Sequence, residues 1–115
     1  MEFNNTKGIK KDYEFRRVYK HGKSFANKYL VVYILKNKTD ETRIGISISK
    51  KVGNAVTRNR IRRLMKEIYR LKIDENIKKG YDLVFISRVA AKDANYKDIE
   101  KSMYSLVRKN GLLNE

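Results

Sequence analysis

Two strand-like segments on either side of one long helix-like segment are the feature that most constrains the fold of this chain. Residues 43–49 (RIGISIS) alternate between isoleucine and smaller or polar residues, which is typical of a half-buried strand. Residues 81–87 (YDLVFIS) are mostly apolar, which indicates a buried strand. Residues 55–72 between them have helical periodicity. Their apolar stripe consists of Ile61, Leu64, Met65 and Ile68. The three segments predict a βαβ unit, whose crossover is right-handed by default.

Two further helices are predicted outside this unit. Residues 11–21 form a short helix, with Asp12 as a candidate N-cap and Gly22 as a stop. Residues 95–109 form the last helix. Its expected inner face consists of Tyr96, Ile99, Met103, Leu106 and Val107. Both helices would pack one face against the sheet.

A third strand is predicted over residues 28–36 (KYLVVYILK), which are rich in β-branched and aromatic side chains. The polar turn over residues 37–42 predicts that this strand pairs antiparallel with the strand over residues 43–49. The order is therefore helix, strand, strand, helix, strand, helix. It indicates an α+β fold, in which helices pack a small mixed sheet. The length of 115 residues suits one domain, and its polar residues 1–9 are expected to be flexible.

Positive charge dominates the composition and is concentrated in one stretch. The chain has 28 Lys and Arg against 13 Asp and Glu, which gives a net charge of +15. Between residues 50 and 70 the only acid is Glu67. The basic residues there are Lys50, Lys51, Arg58, Arg60, Arg62, Arg63, Lys66 and Arg70. A polyanion, either nucleic acid or anionic lipid, would neutralise such a stretch, and its concentration favours nucleic acid over a merely solubilising surface.

Four of these basic residues recur at every fourth position. Arg58, Arg62, Lys66 and Arg70 therefore form one ridge of the predicted helix. Like charges at this spacing destabilise a helix by about 0.2–0.5 kcal/mol per pair. Bound phosphates would remove that cost, and Asn54 and Asn59 could add neutral donors. The alternative is a basic helix that is only solvated.

Aromatic residues give a second signal. Phe15 and Tyr19 share one face of the first helix, and Tyr29 and Tyr33 share one face of the strand over residues 28–36. Single-stranded RNA is held by aromatic stacking beside basic side chains, and basic residues flank the first pair. Aromatic residues at such spacing usually pack inward, however, so the spacing alone favours a core role.

Support for protein-based catalysis is poor. The chain has no cysteine and a single histidine, His21, which excludes thiolate metal sites, cysteine nucleophiles and poly-histidine metal sites. The acids are scattered, whereas metal-dependent nucleases gather carboxylates around their ions. No phosphate-loop motif is present, and the predicted βαβ unit argues against a helix-turn-helix reader of DNA. No apolar run is long enough to cross a bilayer and no signal-like stretch begins the chain, so a cytoplasmic protein is expected.

The segment over residues 50–63 (KKVGNAVTRNRIRR) closely resembles the signature of the bacterial ribonuclease P protein family. Two further segments resemble parts of the family that precede this signature. They are FRRVYKHGKSFANKYLVVY, which begins at Phe15, and RIGISISKKVGNAV, which begins at Arg43. The resemblance extends from about residue 7 to residue 110.

The resemblance implies a subunit of the ribonucleoprotein that removes the 5′ leader from precursor tRNA. The RNA subunit would carry the catalytic centre and the magnesium ions, and the protein would have no catalytic residue and no firmly bound cofactor. Its partners would be ribonuclease P RNA and precursor tRNA, with no membrane, and it would be a monomer in the holoenzyme. The resemblance also implies a left-handed βαβ crossover, contrary to the default hand.

The family's binding residues carry over to matching positions of this chain. Expected contacts to the catalytic RNA are Lys50, Lys51, Asn54, Arg58, Asn59, Arg60, Arg62, Arg63, Lys66 and Arg70. Expected contacts to the 5′ leader are Phe15, Arg16, Tyr19 and Tyr33. Two other functions remain open on charge and composition alone, namely a ribosomal or RNA-chaperone protein and an autonomous nuclease.

Overall fold

A five-stranded mixed sheet with helices on both faces forms the fold. The structure is a computed structural model that describes residues 3–114. Its strands are β1 (Thr6–Gly8), β2 (Lys23–Ala26), β3 (Leu30–Lys36), β4 (Thr42–Ile48) and β5 (Tyr81–Ser87). Its helices are α1 (Asp12–His21), α2 (Ala55–Ile68) and α3 (Tyr96–Lys109). The strand order in the sheet is β1-β4-β5-β3-β2, and the predicted α+β class is confirmed.

The predicted βαβ unit is present. Strands β4 and β5 are parallel neighbours, with Ile44 opposite Leu83 and Ile46 opposite Phe85, and α2 connects them. The left hand of this crossover stays a prediction of the family resemblance. The unit places the basic segment after the end of β4, on a short turn over Lys50–Val52 and on the α2 helix that follows it.

The predicted antiparallel pairing of β3 with β4 is wrong, because β5 lies between them. Strand β5 is apolar on both faces and so takes the central place. The polar connection from β3 to β4 crosses the start of β5. There the Asn37 amide donates to the Gly80 carbonyl at 2.9 Å, and the Thr42 hydroxyl donates to the Lys78 carbonyl at 2.6 Å.

Two short edge strands were not predicted. Strand β1 runs parallel to β4, and β2 runs antiparallel to β3. Buried Asp74 anchors β1, because it accepts a hydrogen bond from the Thr6 hydroxyl at 2.6 Å and from the Asn4 amide at 3.0 Å. The flexibility expected of residues 1–9 therefore does not extend to this strand, and residues 1 and 2 lie outside the described part of the chain.

The helix boundaries largely follow the prediction. Gly22 ends α1 as expected, but its N-cap is Lys11 rather than Asp12, because the Glu14 carboxylate reaches back to the Lys11 amide at 3.3 Å. The cap predicted at Asn54 is confirmed by a 3.0 Å bond from the Thr57 amide.

Helix α2 is shorter than the segment predicted for it. It ends at Ile68, and a π-helical turn over Tyr69–Ile73 follows. Helix α3 begins at Tyr96, after its cap at Asn95.

The two faces of the sheet are covered unequally. Helices α2 and α3 cover one face and form the main core with it, to which α2 contributes Ile61, Met65 and Ile68 as predicted, while Leu64 is only half-buried. Within residues 3–114, α1 is the only helix on the other face. The fully buried residues of that smaller cluster are Ile9, Val18 and Val84. Part of a sheet face beside α1 therefore remains open.

A substitution at Gly22 tests how closely α1 approaches the sheet. A Cβ atom there would lie 2.6 Å from the Val18 carbonyl oxygen and 3.0 Å from that of Ile34, and both are backbone atoms. We expect Gly22→Ala to lower the free energy of unfolding by about 1–3 kcal/mol in urea denaturation. Gly8→Ala is the matched control, because a Cβ atom at Gly8 meets nothing within 4 Å. Equal stability of the two variants would contradict this close approach.

Candidate nucleic-acid interface

Three aromatic side chains form a row on the partly open face of the sheet. The ring centroids of Phe15 and Tyr19, both on α1, are 6.4 Å apart. The Tyr19 ring meets the Tyr33 ring of β3 edge to face at 5.1 Å. All three are half-buried, because they pack against the small hydrophobic cluster on this face and keep part of each ring exposed. The structure thus brings together three of the four residues predicted to bind the leader. Arg16 lies exposed on the same helix.

Strand β4 supports this row with two small residues. A Cβ atom at Gly45 would lie 2.5 Å from a ring carbon of Phe15, so glycine is needed for the ring to lie on the strand. Burial raises the pKa of the Tyr19 hydroxyl, and a hydrogen bond with Ser47 opposes that rise. Tyr19 therefore stays protonated at neutral pH and can donate a hydrogen bond.

Apolar residues beside the row complete this face. Val31 of β3 and Ile86 of β5 are opposite each other in the sheet and half-buried, and the register puts them on the same face as Tyr33. The sequence did not single them out as binding residues. Their only signal was the apolar character of β3 and β5, which does not distinguish a covered sheet face from an open one.

A buried ion network fastens α1 to the sheet. Asp82 of β5 has no exposed surface, and its carboxylate accepts two hydrogen bonds from the Arg43 guanidinium of β4, at 2.9 and 2.7 Å. Arg17 of α1 donates to the same carboxylate at 2.9 Å. Arg43 also pairs with Glu14 of α1. Asp82, at the start of β5, is therefore a buried anchor for α1 and not a surface acid.

The network keeps both carboxylates ionised. Burial would raise the pKa of Asp82, but hydrogen bonds from Arg43 and Asn37 and the nearby positive charge outweigh burial, and the pKa lies below its ordinary value. Desolvation would raise the pKa of Glu14, but hydrogen bonds from Arg43 and the Lys11 amide together outweigh it, so this pKa is also lowered. The helix that carries the aromatic row is thus held by charged groups that stay ionised at neutral pH.

The basic segment after β4 forms a second surface. Lys50 and Lys51 are exposed on a 3₁₀ turn over Lys50–Val52, not on the end of a strand. Asn54 uses its side-chain oxygen as the α2 cap, which leaves its amide nitrogen for other partners. Asn59, Arg60 and Arg63 are exposed on α2.

The predicted ridge is regular over three of its four residues. Arg58, Arg62 and Lys66 follow one another along α2 and are half-buried. Arg70 lies beyond α2 in the π-helical turn and pairs with Glu67 at 2.6 Å, so part of its charge is balanced. Local bonds hold two other arginines, since Arg58 donates to the Gly53 carbonyl and Arg60 donates to the Lys92 carbonyl.

A groove joins the aromatic row to the basic helix. It has a volume of about 220 Å³ and runs along the edge of β4 beyond the short strand β1. Its walls include Phe15 of α1, Ile46 of β4, Lys10 ahead of α1, and Arg62 and Lys66 of α2. The sequence placed Lys10 among the basic residues beside Phe15 and Tyr19 but missed Ile46, because the edge that brings the two together depends on the unpredicted strand β1. The two predicted surfaces are therefore contiguous.

Neither a metal centre nor a membrane segment is found in this part of the chain. Within residues 3–114, no group of three or more His, Cys, Asp or Glu side chains could hold a metal ion. None of the helices in the same range combines the length and the apolarity that crossing a bilayer requires. The chemistry available on these surfaces is that of cationic, amide and aromatic groups, which bind phosphates and bases.

Comparisons with known proteins agree with this surface chemistry. The model of the family described as Ribonuclease P matches residues 3–111. The ribonuclease P protein component of Clostridioides difficile (strain 630) is 69% identical over 112 residues, which cover 97% of this chain and 98% of the relative. The solved Staphylococcus aureus RNase P protein has a TM-score of 0.85 at 40% identity, covering 93% and 97% of the two chains. The RNase P protein from Thermotoga maritima has a TM-score of 0.80 at 30% identity, covering 90% and 96%.

Substitution of Asp82 tests the ion network. We expect Asp82→Asn to lower the free energy of unfolding by about 3 kcal/mol at pH 7, because it leaves the Arg43 guanidinium without its buried counter-ion. The stability due to ionised Asp82 is lost as the pH falls below about 3.9, the ordinary pKa of aspartate, and through the lower folded-state value. The difference between variant and wild type should therefore shrink in acid, as measured by urea denaturation across pH.

Glu67→Gln is the matched control for this measurement. Its ion pair with Arg70 is of similar length but is exposed, so its loss should cost at most about 1 kcal/mol. If both variants lost the same stability, the Asp82 network would have no special role.

Proposed function

Because this chain belongs to the ribonuclease P protein family, it is the protein subunit of a ribonucleoprotein endonuclease that matures the 5′ end of tRNA. We propose that its two surfaces bind different RNA molecules. The basic surface around α2 binds the RNA subunit. The aromatic row and the open sheet face beside it bind the 5′ leader of precursor tRNA. The observation that carries this proposal is the half-buried row of Phe15, Tyr19 and Tyr33 beside a groove walled by cations.

The charge distribution supports the first assignment. Arg58, Arg62 and Lys66 lie side by side on α2, and Lys50 and Lys51 extend the same sign of charge to the preceding turn. Such a surface releases counter-ions when phosphates bind, which gives an affinity that falls steeply with salt. The proposed contacts to the RNA subunit also include Asn54, Asn59, Arg60, Arg63 and Arg70, of which Arg70 contributes least because Glu67 balances it.

The geometry of the aromatic row supports the second assignment. Rings held edge to face and half-exposed offer flat surfaces on which an unpaired base can stack. Arg16 is exposed on α1 and can reach the phosphates of the same strand. The groove along the edge of β4 gives the leader a path from the row toward α2. A strand bound there would thus lie between the two surfaces.

The protein contributes binding and orientation, and catalysis belongs to the RNA subunit. The carboxylates near the row serve the ion network, since Asp82 is buried and Glu14 pairs with Arg43. We propose that magnesium is held in the holoenzyme by RNA and that the protein binds no cofactor firmly. We also propose that one copy of the chain acts in each holoenzyme, in the cytoplasm.

Cleavage of precursor tRNA at low magnesium tests this function. The reaction is run with a bacterial ribonuclease P RNA alone, with the protein alone, and with both. Stimulation only in the complete mixture is the expected result. Cleavage by the protein alone would indicate an autonomous nuclease. No effect in any mixture would favour a ribosomal or RNA-chaperone protein.

Removal of Arg62 tests the basic surface. We expect Arg62→Ala to weaken assembly with the RNA subunit and to flatten its salt dependence by about one unit in log–log slope, because about one phosphate contact is lost. Binding is measured across a salt series. Arg108→Ala, which removes an exposed arginine from the last turn of α3, is the control and should leave the slope unchanged. Identical slopes for the two variants would remove Arg62 from the interface.

Loss of the Phe15 ring tests the leader contact. Phe15→Leu keeps an apolar side chain against Gly45 but cannot stack on a base, so we expect leader affinity to fall by about 1–3 kcal/mol. The measurement compares precursor tRNA with mature tRNA, since only the precursor carries a leader. Tyr13→Ala on the exposed side of α1 is the control. An unchanged preference for the precursor, with a lowered melting temperature, would assign Phe15 to packing alone.

A further inference from the structure

A second groove lies at the opposite edge of the sheet from the basic surface. It has a volume of about 370 Å³ and lies where the edge strand β2, strand β3 and the end of α3 meet. The register places Phe25 and Lys23 of β2 on the same sheet face as Lys36 of β3 and Tyr81 of β5. This is the face covered by α2 and α3, whereas the aromatic row lies on the other face. The β2-edge groove is therefore separate from both surfaces described above.

One aromatic residue of this groove, Phe25, belongs to neither hydrophobic cluster of the described residues, whereas Tyr81 packs against the main core. Strand β2 is exposed along its whole length, and Phe25 keeps 38% of its surface accessible. Tyr81 is half-buried and lines the same groove, with Ile34 also on its wall. Natural edge strands usually lack exposed aromatic rings. An exposed ring at such an edge therefore indicates a binding site for a partner.

The charges of the groove decide which kind of partner fits. Its lining includes Lys23, Lys36 and His21 and no acidic side chain. Within residues 3–114, neither lysine forms an ion pair. A second copy of this chain would bring its own net charge of +15 to the groove, which opposes self-association. Lysine on an edge strand also discourages pairing with another protein strand.

We propose that the β2-edge groove binds a segment of RNA, with a base against Phe25 and backbone phosphates on Lys23 and Lys36. Cations next to an aromatic ring are the combination that holds an unpaired nucleotide. The RNA could be the RNA subunit or precursor tRNA, which share this chemistry. The protein would then contact RNA at both edges of its sheet, which goes beyond the two surfaces of the proposed function.

Photo-cross-linking in the complete holoenzyme tests this proposal directly. Phe25 is replaced by p-benzoylphenylalanine, and the complex with ribonuclease P RNA and precursor tRNA is irradiated. Tyr104→p-benzoylphenylalanine is the matched control, because Tyr104 is 40% exposed but lies on α3 outside the groove. An adduct specific to position 25 is expected, and its mapping to one RNA or the other identifies the source. An adduct to a second protein chain, or no RNA adduct above the control, would overturn the proposal.

Charge reversal gives a second, independent measurement. Lys23→Glu with Lys36→Glu is compared with Lys97→Glu and Lys101→Glu on α3, which change the net charge equally. Assembly with the RNA subunit and binding of precursor tRNA are measured across a salt series, and circular dichroism melts check folding. In one of the two equilibria the groove variant should flatten the log–log slope by about 1.4 units, the value for two single-strand phosphates. Equal slopes for the two double variants would overturn the proposal.

The two proposals fail separately in these experiments. Failure of the proposed function would appear as no stimulation of cleavage by the wild-type chain. Failure of the β2-edge groove would leave that stimulation intact while both the cross-link and the change of slope were missing.

Discussion

Burial of the Asp82 carboxylate is the constraint on which the arrangement of this protein depends. A buried charge is tolerated only when it is paired and hydrogen-bonded, and here Arg43, Arg17 and Asn37 supply the donors. These three residues come from β4, α1 and the connection after β3. One carboxylate therefore fixes the central strand, its neighbour, the crossing loop and the helix that bears the aromatic row.

Several other acids in the chain also have structural roles. A chain with 28 basic and 13 acidic residues has few carboxylates to distribute. Asp74 anchors β1, Asp82 and Glu14 hold α1, and Asp98 completes the cap of α3. These acids stabilise the fold, while the surface around α2 keeps nearly all of its positive charge, apart from the pair of Arg70 with Glu67. Among the described residues, Arg70 is the only basic residue between Lys50 and Arg70 that is paired with an acid, so the protein is both well anchored and strongly cationic around α2.

Local patterns predicted the helices and the three longer strands, because periodicity records which face of an element is buried. The spacing of charges also predicted the basic surface, whereas the binding role of the aromatic row came from the family resemblance, because spacing alone favoured a core position for those rings. The pairing of β3 with β4 was wrong because a short polar turn suggests a hairpin, whereas the doubly apolar strand β5 takes the place between them. Strand β1 escaped prediction because Asp74, far along the chain, supplies its anchor. The ion network escaped for the same reason, since Arg43 and Asp82 meet only through the parallel pairing of their strands.

The sheet face beside α1 is only partly covered, because α1 does not extend over all of its apolar residues. Tyr33, Val31 and Ile86 keep part of their apolar surface exposed because, among the described residues, no second helix covers them. A ligand bound there would bury this apolar surface, as a second helix would. A ligand that binds only the folded chain raises the free energy of unfolding by mass action. Binding at this face and folding are therefore thermodynamically coupled. The folded state is thus most stable when a ligand occupies this face of the sheet.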